Sequence, residues 1–152
     1  MSRIAIIGGA GYVGLSYAAA LAKLDHDVIG LDLDADKVSK LSQGCVPIFE
    51  PGLEDLLREG CAGGRLRFTA DYADAVTDAE YVFLCVGTPP ASDGAADMLH
   101  VRAAASSLAT YARGHTIVVN KSTMPPGSAH LIADLLEHHR ADSATFSVVA
   151  VS

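Results

Sequence analysis

Four glycines lie close together near the N-terminus, in the stretch IIGGAGYVGL from Ile6 to Leu15. Glycine allows positive φ angles, and because it has no Cβ the backbone can approach a ligand closely. When such a turn joins a strand to a helix, the free N–H groups at the start of the helix can bind phosphate. The residue types therefore predict a turn that binds the pyrophosphate of a dinucleotide. A turn that only packs the next helix close to a sheet is the alternative.

The four glycines fit two spacings. Gly9, Gly11 and Gly14 give G-x-G-x-x-G, which is typical of dinucleotide dehydrogenases, whereas starting from Gly8 gives G-x-x-G-x-x-G, typical of sugar-nucleotide epimerases and related reductases. The second class needs Tyr-x-x-x-Lys, in which the lysine lowers the tyrosine pKa so that it acts as a base. Every tyrosine of this sequence has another residue at that position. The first spacing is favoured, and Gly8 is then expected to end the strand.

An acidic residue follows at a suitable distance from the glycines. Asp32 ends the apolar run VIGLD, about 20 residues beyond Gly9. A carboxylate at this place accepts hydrogen bonds from the adenosine ribose hydroxyls and repels a 2′-phosphate, so NAD is predicted rather than NADP. Asp34 and Asp36 fit the distance on pattern alone, but Asp34 is better explained as the N-cap of a helix that begins at Ala35.

These residues need strands and helices to position them, and apolar runs alternate with helical patterns along the whole chain. The predicted strands are Arg3–Gly8, Asp27–Asp32, Arg65–Thr69, Tyr81–Gly87, His115–Lys121 and Ala144–Val149. The predicted helices are Tyr12–Leu24, Ala35–Gln43, Pro51–Glu59, Tyr72–Thr77, Asp97–Ala112 and Gly127–Arg140.

Continuous apolar runs are typical of strands that are covered on both faces. Alternating strands and helices imply parallel pairing through right-handed crossovers. We therefore expect one α/β domain over residues 1–152, with a doubly wound, mostly parallel, six-stranded Rossmann-type sheet and helices on both faces.

Composition restricts the binding partners and the cellular compartment that we expect. The 11 basic and 18 acidic residues give a net charge of −7, and the basic ones are scattered, which argues against nucleic acid. No apolar stretch approaches the ~20 residues of a membrane span. The first strand-like run begins within three residues of the N-terminus, which leaves no room for a targeting segment. A cytoplasmic protein is expected.

The residues that most often bind metals are not arranged to do so. Cys45, Cys61 and Cys85 are odd in number and far apart, so they suggest neither a disulfide framework nor a zinc cluster. His138 and His139 are adjacent, which points them about 100° apart on a helix. We expect a solvated helix end there and no metal site.

Two proline-containing motifs follow later strands. CVGTPP, Cys85–Pro90, leaves the fourth predicted strand, and NKSTMPPGS, Asn120–Ser128, leaves the fifth. They place Thr88 and Thr123 at the carboxyl edge of the sheet, where doubly wound folds bind ligands. Either motif alone could simply turn the chain.

Together with PIFEPGLEDLL at Pro47–Leu57 and DGAADM at Asp93–Met98, these motifs resemble the N-terminal domain of the UDP-glucose and GDP-mannose 6-dehydrogenase family. The resemblance covers essentially all 152 residues and is strongest to bacterial UDP-glucose 6-dehydrogenases. It implies that the chain binds NAD. The cofactor-binding residues it implies are Gly9, Gly11, Tyr12, Val13 and Gly14 at the pyrophosphate turn, Asp32 and Lys37 at the adenosine ribose, and Thr88 and Thr123 near the nicotinamide half.

The family oxidises the C6 alcohol of a nucleotide sugar twice, with two NAD+ and no metal. A cysteine captures the intermediate aldehyde, and the resemblance implies that Thr123 helps to position water. The family's catalytic cysteine, lysine and asparagine, and its middle and C-terminal domains, are expected beyond Ser152. The chain by itself is therefore expected to bind NAD weakly and to be inactive.

Three interpretations stay open. The domain serves a UDP-glucose 6-dehydrogenase, or a GDP-mannose or UDP-N-acetylhexosamine 6-dehydrogenase, or it is a non-catalytic NAD-binding module. The sequence also leaves a homodimer open, because an apolar face would be exposed. The doubled glycine departs from the family pattern, so that either the turn is one residue longer or the strand ends one residue later.

Overall fold

A computed structural model describes residues 1–46, 50–88, 91–94, 98–122, 124–125 and 127–151. The strands are β1 (Arg3–Ile7), β2 (Asp27–Leu31), β3 (Leu66–Thr69), β4 (Tyr81–Leu84), β5 (Gly114–Asn120) and β6 (Ala144–Ala150). The helices are α1 (Tyr12–Lys23), α2 (Ala35–Ser42), α3 (Leu53–Ala62), α4 (Tyr72–Val76), α5 (Leu99–Tyr111) and α6 (Ser128–His139). Every predicted strand and helix is present, with ends shifted by at most three residues.

The six strands form one parallel sheet in the order β3-β2-β1-β4-β5-β6. The chain runs outward from β1 to β3, returns to the centre at β4, and runs outward again to β6. The doubly wound prediction is therefore confirmed. The order reverses between β1 and β4, and in such sheets a ligand crevice opens at the carboxyl ends of the two strands that flank the reversal.

The sheet is covered on both faces by apolar side chains, because alternate residues of a strand point to opposite faces. Ile4 and Ile6 of β1 pack on one face with residues of α1 and α3, and Ala5 and Ile7 pack on the other with residues of α5 and α6. The helix residues in the two clusters include Leu15, Ala18, Ala19, Leu53 and Leu57 on the first face, and Val101, Leu108, Ile132 and Leu136 on the second. The helices that follow β1 and β4 thus lie on opposite sides of the sheet.

The strand end before the glycine turn differs from the prediction. β1 ends at Ile7, and Gly8 has a φ of +85°, so the expectation that Gly8 ends the strand is wrong. The N–H groups of Gly8 and Gly9 both donate to the carbonyl oxygen of Leu31, each at 2.9 Å. Two successive amides reach one acceptor only where the backbone has stopped extending. The doubled glycine therefore makes the turn one residue longer.

Two cysteines also lie elsewhere than expected. β4 ends at Leu84 rather than Gly87, which leaves Cys85 just past the strand, and Cys61 lies on α3 rather than in a loop. His138 and His139 do form the exposed C-terminal end of α6. In the part of the chain that the structure describes, no helix has the length and apolar character that crossing a bilayer requires.

The short helix α4 begins at a side-chain cap. The Asp71 carboxylate accepts a hydrogen bond from the Ala73 N–H at 3.1 Å. We expect Asp71→Ala to lower the free energy of unfolding by about 1 kcal/mol, the usual effect of removing an N-cap. Urea denaturation measures it. Asp78→Ala is the matched control, since the exposed Asp78 side chain makes no hydrogen bond or ion pair with any described residue. Equal losses in the two variants would contradict the capping role.

Candidate cofactor-binding site

The glycine turn between β1 and α1 is held by backbone-to-backbone packing. The Gly8 carbonyl oxygen accepts a hydrogen bond from the Gly11 N–H at 3.1 Å. A Cβ added to Gly14 would lie 2.3 Å from that same oxygen, and one added to Gly8 would lie 2.5 Å from the carbonyl oxygen of Cys85. Both distances are well inside van der Waals contact, so only glycine fits at either position.

Gly9 and Gly11 have different surroundings. A Cβ on Gly9 would lie 2.7 Å from the Cα of Gly30, so Gly9 allows the turn to pack against β2. At Gly11 the nearest atom to an added Cβ would be 3.4 Å away, and Gly11 lines a cavity at the carboxyl edge of the sheet. Gly8 and Gly11 therefore both line the cavity, and Gly11 is the one at which an added Cβ would make only ordinary contact.

The first turn of α1, at the carboxyl edge of the sheet, has no side-chain cap. Its N-cap, Gly11, has no side chain to accept from the helix N–H groups, and the first turn carries no acidic residue. By contrast, α2 and α4 are capped by their own aspartates, Asp34 and Asp71. Tyr12 and Val13 in the first turn of α1 are 52% and 45% exposed. The uncapped N–H groups and the partial positive charge of the helix end suit an anion.

Tyr12 is tied to a neighbouring loop. Its hydroxyl donates to the Glu50 carboxylate at 3.1 Å, and this hydrogen bond together with the negative charge of Glu50 raises the pKa of Tyr12. The phenol therefore stays neutral beside the glycine turn and adds no negative charge there.

Asp32 and Lys37 share one cavity with the turn. The cavity has a volume of about 470 Å³ and is lined by Gly8, Gly11, Asp32 and Lys37. Oδ1 of Asp32 accepts from the Asp34 N–H at 3.0 Å, which fixes the orientation of the carboxylate. The structure thus brings together three of the residues predicted from sequence, Gly11, Asp32 and Lys37.

The N-cap of α2 fixes where this helix begins and therefore where Lys37 lies. Asp34 accepts hydrogen bonds from the N–H groups of Asp36 and Lys37, so it is the N-cap of α2, as predicted. Lys37 therefore lies in the first turn of α2, directly after the strand that Asp32 follows. Asp32 and Lys37 are therefore only five residues apart in the chain, and both line the cavity.

Several cavity residues were not predicted from the sequence, and four of them have the side chains of most interest. These are Leu33, Tyr72, Cys85 and His100. Burial and the negative charge of Asp32 raise the pKa of Tyr72 to about 12, and burial raises the pKa of Cys85 to about 11, so both stay neutral at physiological pH. No motif spacing links Tyr72 or His100 to the glycines, since each comes from a different crossover helix. Leu33 could have been found as the residue after Asp32.

The two later motifs are described only in part. Thr88 lies four residues beyond the end of β4, at the carboxyl edge, and it is not among the residues that line the cavity. Thr123 lies outside the described residues, as do Pro47, Ile48, Phe49, Pro89, Pro90, Ala95, Ala96, Asp97, Pro126 and Ser152.

The remaining candidates for chemistry lie apart from this cavity. Cys45 and Cys61 are exposed, and all three cysteines are free thiols. Over the described ranges, no three or more His, Cys, Asp or Glu side chains converge as metal ligands would.

The residues present fit a dinucleotide. Gly11 leaves its Cβ position open, α1 offers uncapped N–H groups, and Asp32 presents a carboxylate at the carboxyl end of the second strand. This combination of a phosphate-binding helix end and an acceptor for ribose hydroxyls is the general arrangement of NAD sites in doubly wound sheets.

Comparison with known proteins agrees with this site. Residues 2–152 match the UDP-glucose/GDP-mannose dehydrogenase family, NAD binding domain. The chain is 41% identical over 142 residues to UDP-glucose 6-dehydrogenase YwqF of Bacillus subtilis, covering 93% of this chain and 32% of that protein. It is 46% identical over 134 residues to a UDP-glucose 6-dehydrogenase of Pseudomonas aeruginosa, covering 88% of this chain and 29% of that protein.

A solved structure shows the same fold. The UDP-glucose dehydrogenase of Pyrobaculum islandicum superposes with a TM-score of 0.92 at 38% identity, covering 99% of this chain and 35% of that one. The chain spans about a third of the length of the relatives it matches. It belongs to the UDP-glucose/GDP-mannose dehydrogenase family and corresponds to the family's NAD-binding domain.

Proposed function

We propose that the cavity beside the glycine turn holds NAD, with the pyrophosphate at Gly11, Val13 and the start of α1. Asp32 and Lys37 then bind the adenosine ribose. The observation that carries this proposal is that the turn, the carboxylate and the ammonium group line one cavity at the carboxyl edge of the sheet.

The nicotinamide half would extend toward the carboxyl ends of β4 and β5. Thr88 follows β4 at this edge, and the resemblance to the family supports a role for both Thr88 and Thr123 near the nicotinamide. In this proposal Thr123 also helps to position the water that releases the product.

We further propose that the domain serves a UDP-glucose 6-dehydrogenase, which converts UDP-glucose, two NAD+ and water to UDP-glucuronate and two NADH with release of protons. Bound NAD supplies the hydride acceptor. UDP-glucose is favoured over GDP-mannose because identity to UDP-glucose 6-dehydrogenases reaches 41% and 46% in the Bacillus subtilis and Pseudomonas aeruginosa enzymes, whereas a GDP-mannose 6-dehydrogenase of Pseudomonas syringae is 37% identical. The three free thiols fit a reducing compartment, so we place the protein in the cytoplasm.

The chain by itself is expected to produce no NADH from UDP-glucose, although it binds NAD. Capture of an aldehyde needs an accessible thiolate. Cys85 is held protonated by burial, and Cys61 lies on α3, a helix that adds no residue to the NAD cavity. Isothermal titration with NAD and the absorbance of NADH in the presence of UDP-glucose measure the two properties. Turnover of UDP-glucose by the purified chain would contradict the proposal that this domain binds NAD but does not oxidise the sugar by itself.

A chimera tests the role of the domain in a complete enzyme. Replacing the matching third of YwqF with this chain should preserve NAD-dependent oxidation of UDP-glucose, because the two domains are 41% identical over 142 residues. The same chimera carrying Asp32→Asn is the matched control and should lose preference for NAD. A chimera that folds and binds UDP-glucose, yet forms no NADH at saturating NAD, would contradict the proposal.

A further inference from the structure

His100 lies in the first turn of α5 and lines the same cavity as Gly8, Gly11 and Asp32. Ala103 and Ala104 line it too, and residues three and four apart share one face of a helix. The face of α5 that begins with His100 is therefore turned toward the cavity. The ring of His100 makes no hydrogen bond or ion pair with any residue that the structure describes.

The topology explains why α5 reaches this place. α1 follows β1 and α5 follows β4, and these adjacent strands flank the point where the strand order reverses. The two helices lie on opposite faces of the sheet, and residues from the start of each line the crevice, Gly11 at α1 and His100 on α5. The first turn of α1 has no side-chain cap and no acidic residue, so this side of the crevice favours negative charge.

The ionic side chains described around the cavity do not balance the charge of a pyrophosphate. The pyrophosphate of a dinucleotide carries two negative charges, and among the described residues the ionic side chains that line the cavity besides His100 are Asp32 and Lys37, which offset each other. The other described titratable groups that line it are Tyr72 and Cys85, whose raised pKa values of about 12 and 11 keep them neutral below pH 9. Histidine is the side-chain type whose charge changes between about pH 5 and 8.

We propose that His100 is a further cofactor-binding residue, whose protonated ring pairs with the pyrophosphate and makes the affinity for NAD rise as the pH falls. The inference rests on the proposed NAD site. Binding of an anion favours the charged form of a nearby histidine, so NAD binding near neutral pH takes up a proton at His100.

The test is a titration of the 152-residue chain with NAD at pH 6, 7 and 8. We expect affinity about two- to fivefold higher at pH 6 than at pH 8, the effect of a partly exposed ion pair. His100→Gln should bind NAD with one affinity at all three values, equal to that of the original chain at pH 8. Calorimetry in two buffers of different ionisation enthalpy should show proton uptake in the original chain and none in His100→Gln.

His139→Gln is the matched control, since His139 is exposed at the C-terminal end of α6. It should keep the pH dependence. ADP-ribose, which has the pyrophosphate but no nicotinamide, should show the same dependence as NAD. A pH dependence that survives in His100→Gln, or that is absent with ADP-ribose, would overturn the assignment. Failure of the original chain to bind NAD at any pH would instead overturn the proposed function.

Discussion

Gly8→Ala is expected to lower the free energy of unfolding by about 3 kcal/mol and to abolish NAD binding. Gly8 has a φ of +85°, a conformation that costs a residue with a Cβ about 1–2 kcal/mol. The new Cβ would also lie 2.5 Å from the carbonyl oxygen of Cys85, and forcing atoms into a packed site costs about 1–3 kcal/mol more. In a domain of this size the melting temperature should fall by about 6–12 °C.

The binding defect follows from the same overlap. To relieve it, the Gly8 carbonyl must move, yet that oxygen accepts the hydrogen bond of the Gly11 N–H and sits against Gly14. A shift there displaces the start of α1, whose N–H groups would bind the pyrophosphate. Calorimetric titration with NAD below the melting temperature separates loss of binding from loss of folding.

Gly64→Ala is the matched control. Gly64 also has a positive φ, +74°, but an added Cβ would meet no atom within 4 Å. Gly64→Ala should lower the free energy of unfolding only by the conformational penalty of a positive φ, and it should leave the affinity for NAD unchanged. The difference between the two variants measures the contact with Cys85. Equal destabilisation by Gly8→Ala and Gly64→Ala would show that close packing of the turn is not what requires glycine at position 8.

Asp32→Asn is expected to weaken NAD binding by about 10- to 100-fold and to narrow the gap between NAD and NADP. Hydrogen bonds to a charged group contribute about 1.5–3 kcal/mol, and the amide keeps only part of that contribution. Because the negative charge also repels a 2′-phosphate, its removal should raise the affinity for NADP while the affinity for NAD falls. Titration of the original chain and of Asp32→Asn with NAD and with NADP gives the ratio of the two affinities in each protein.

Asp34→Asn provides a control with the same change of charge two residues away. Asp34 caps α2 by accepting from the N–H groups of Asp36 and Lys37, and asparagine is an equally good N-cap. We expect both stability and cofactor preference to stay as they are. If Asp34→Asn shifted the NADP to NAD ratio as far as Asp32→Asn does, the discrimination would come from the overall field of the acidic residues rather than from contact with the ribose.

Much of the fold could be predicted from sequence because the apolar runs and helical patterns of a doubly wound sheet are local signals. All twelve strands and helices were predicted, and the cap at Asp34 was confirmed by its hydrogen bonds. The ends of the strands and helices were predicted less accurately. The last strand residue before the turn was misplaced at Gly8, because an apolar run followed by two glycines does not show where the backbone stops extending.

The sequence by itself determined the family and the strand–turn–helix setting of Gly11, and it predicts the preference for NAD that Asp32 implies. These depend on residues that lie near one another in the chain. Only the tertiary structure decided which glycine turns the backbone, since the need for glycine at positions 8 and 9 comes from contacts with Cys85 and Gly30. It also decided that α5 lies across the crevice from α1 and that His100 faces the cavity. The reason is that these contacts join residues far apart in sequence, and only the order of the strands in the sheet brings them together.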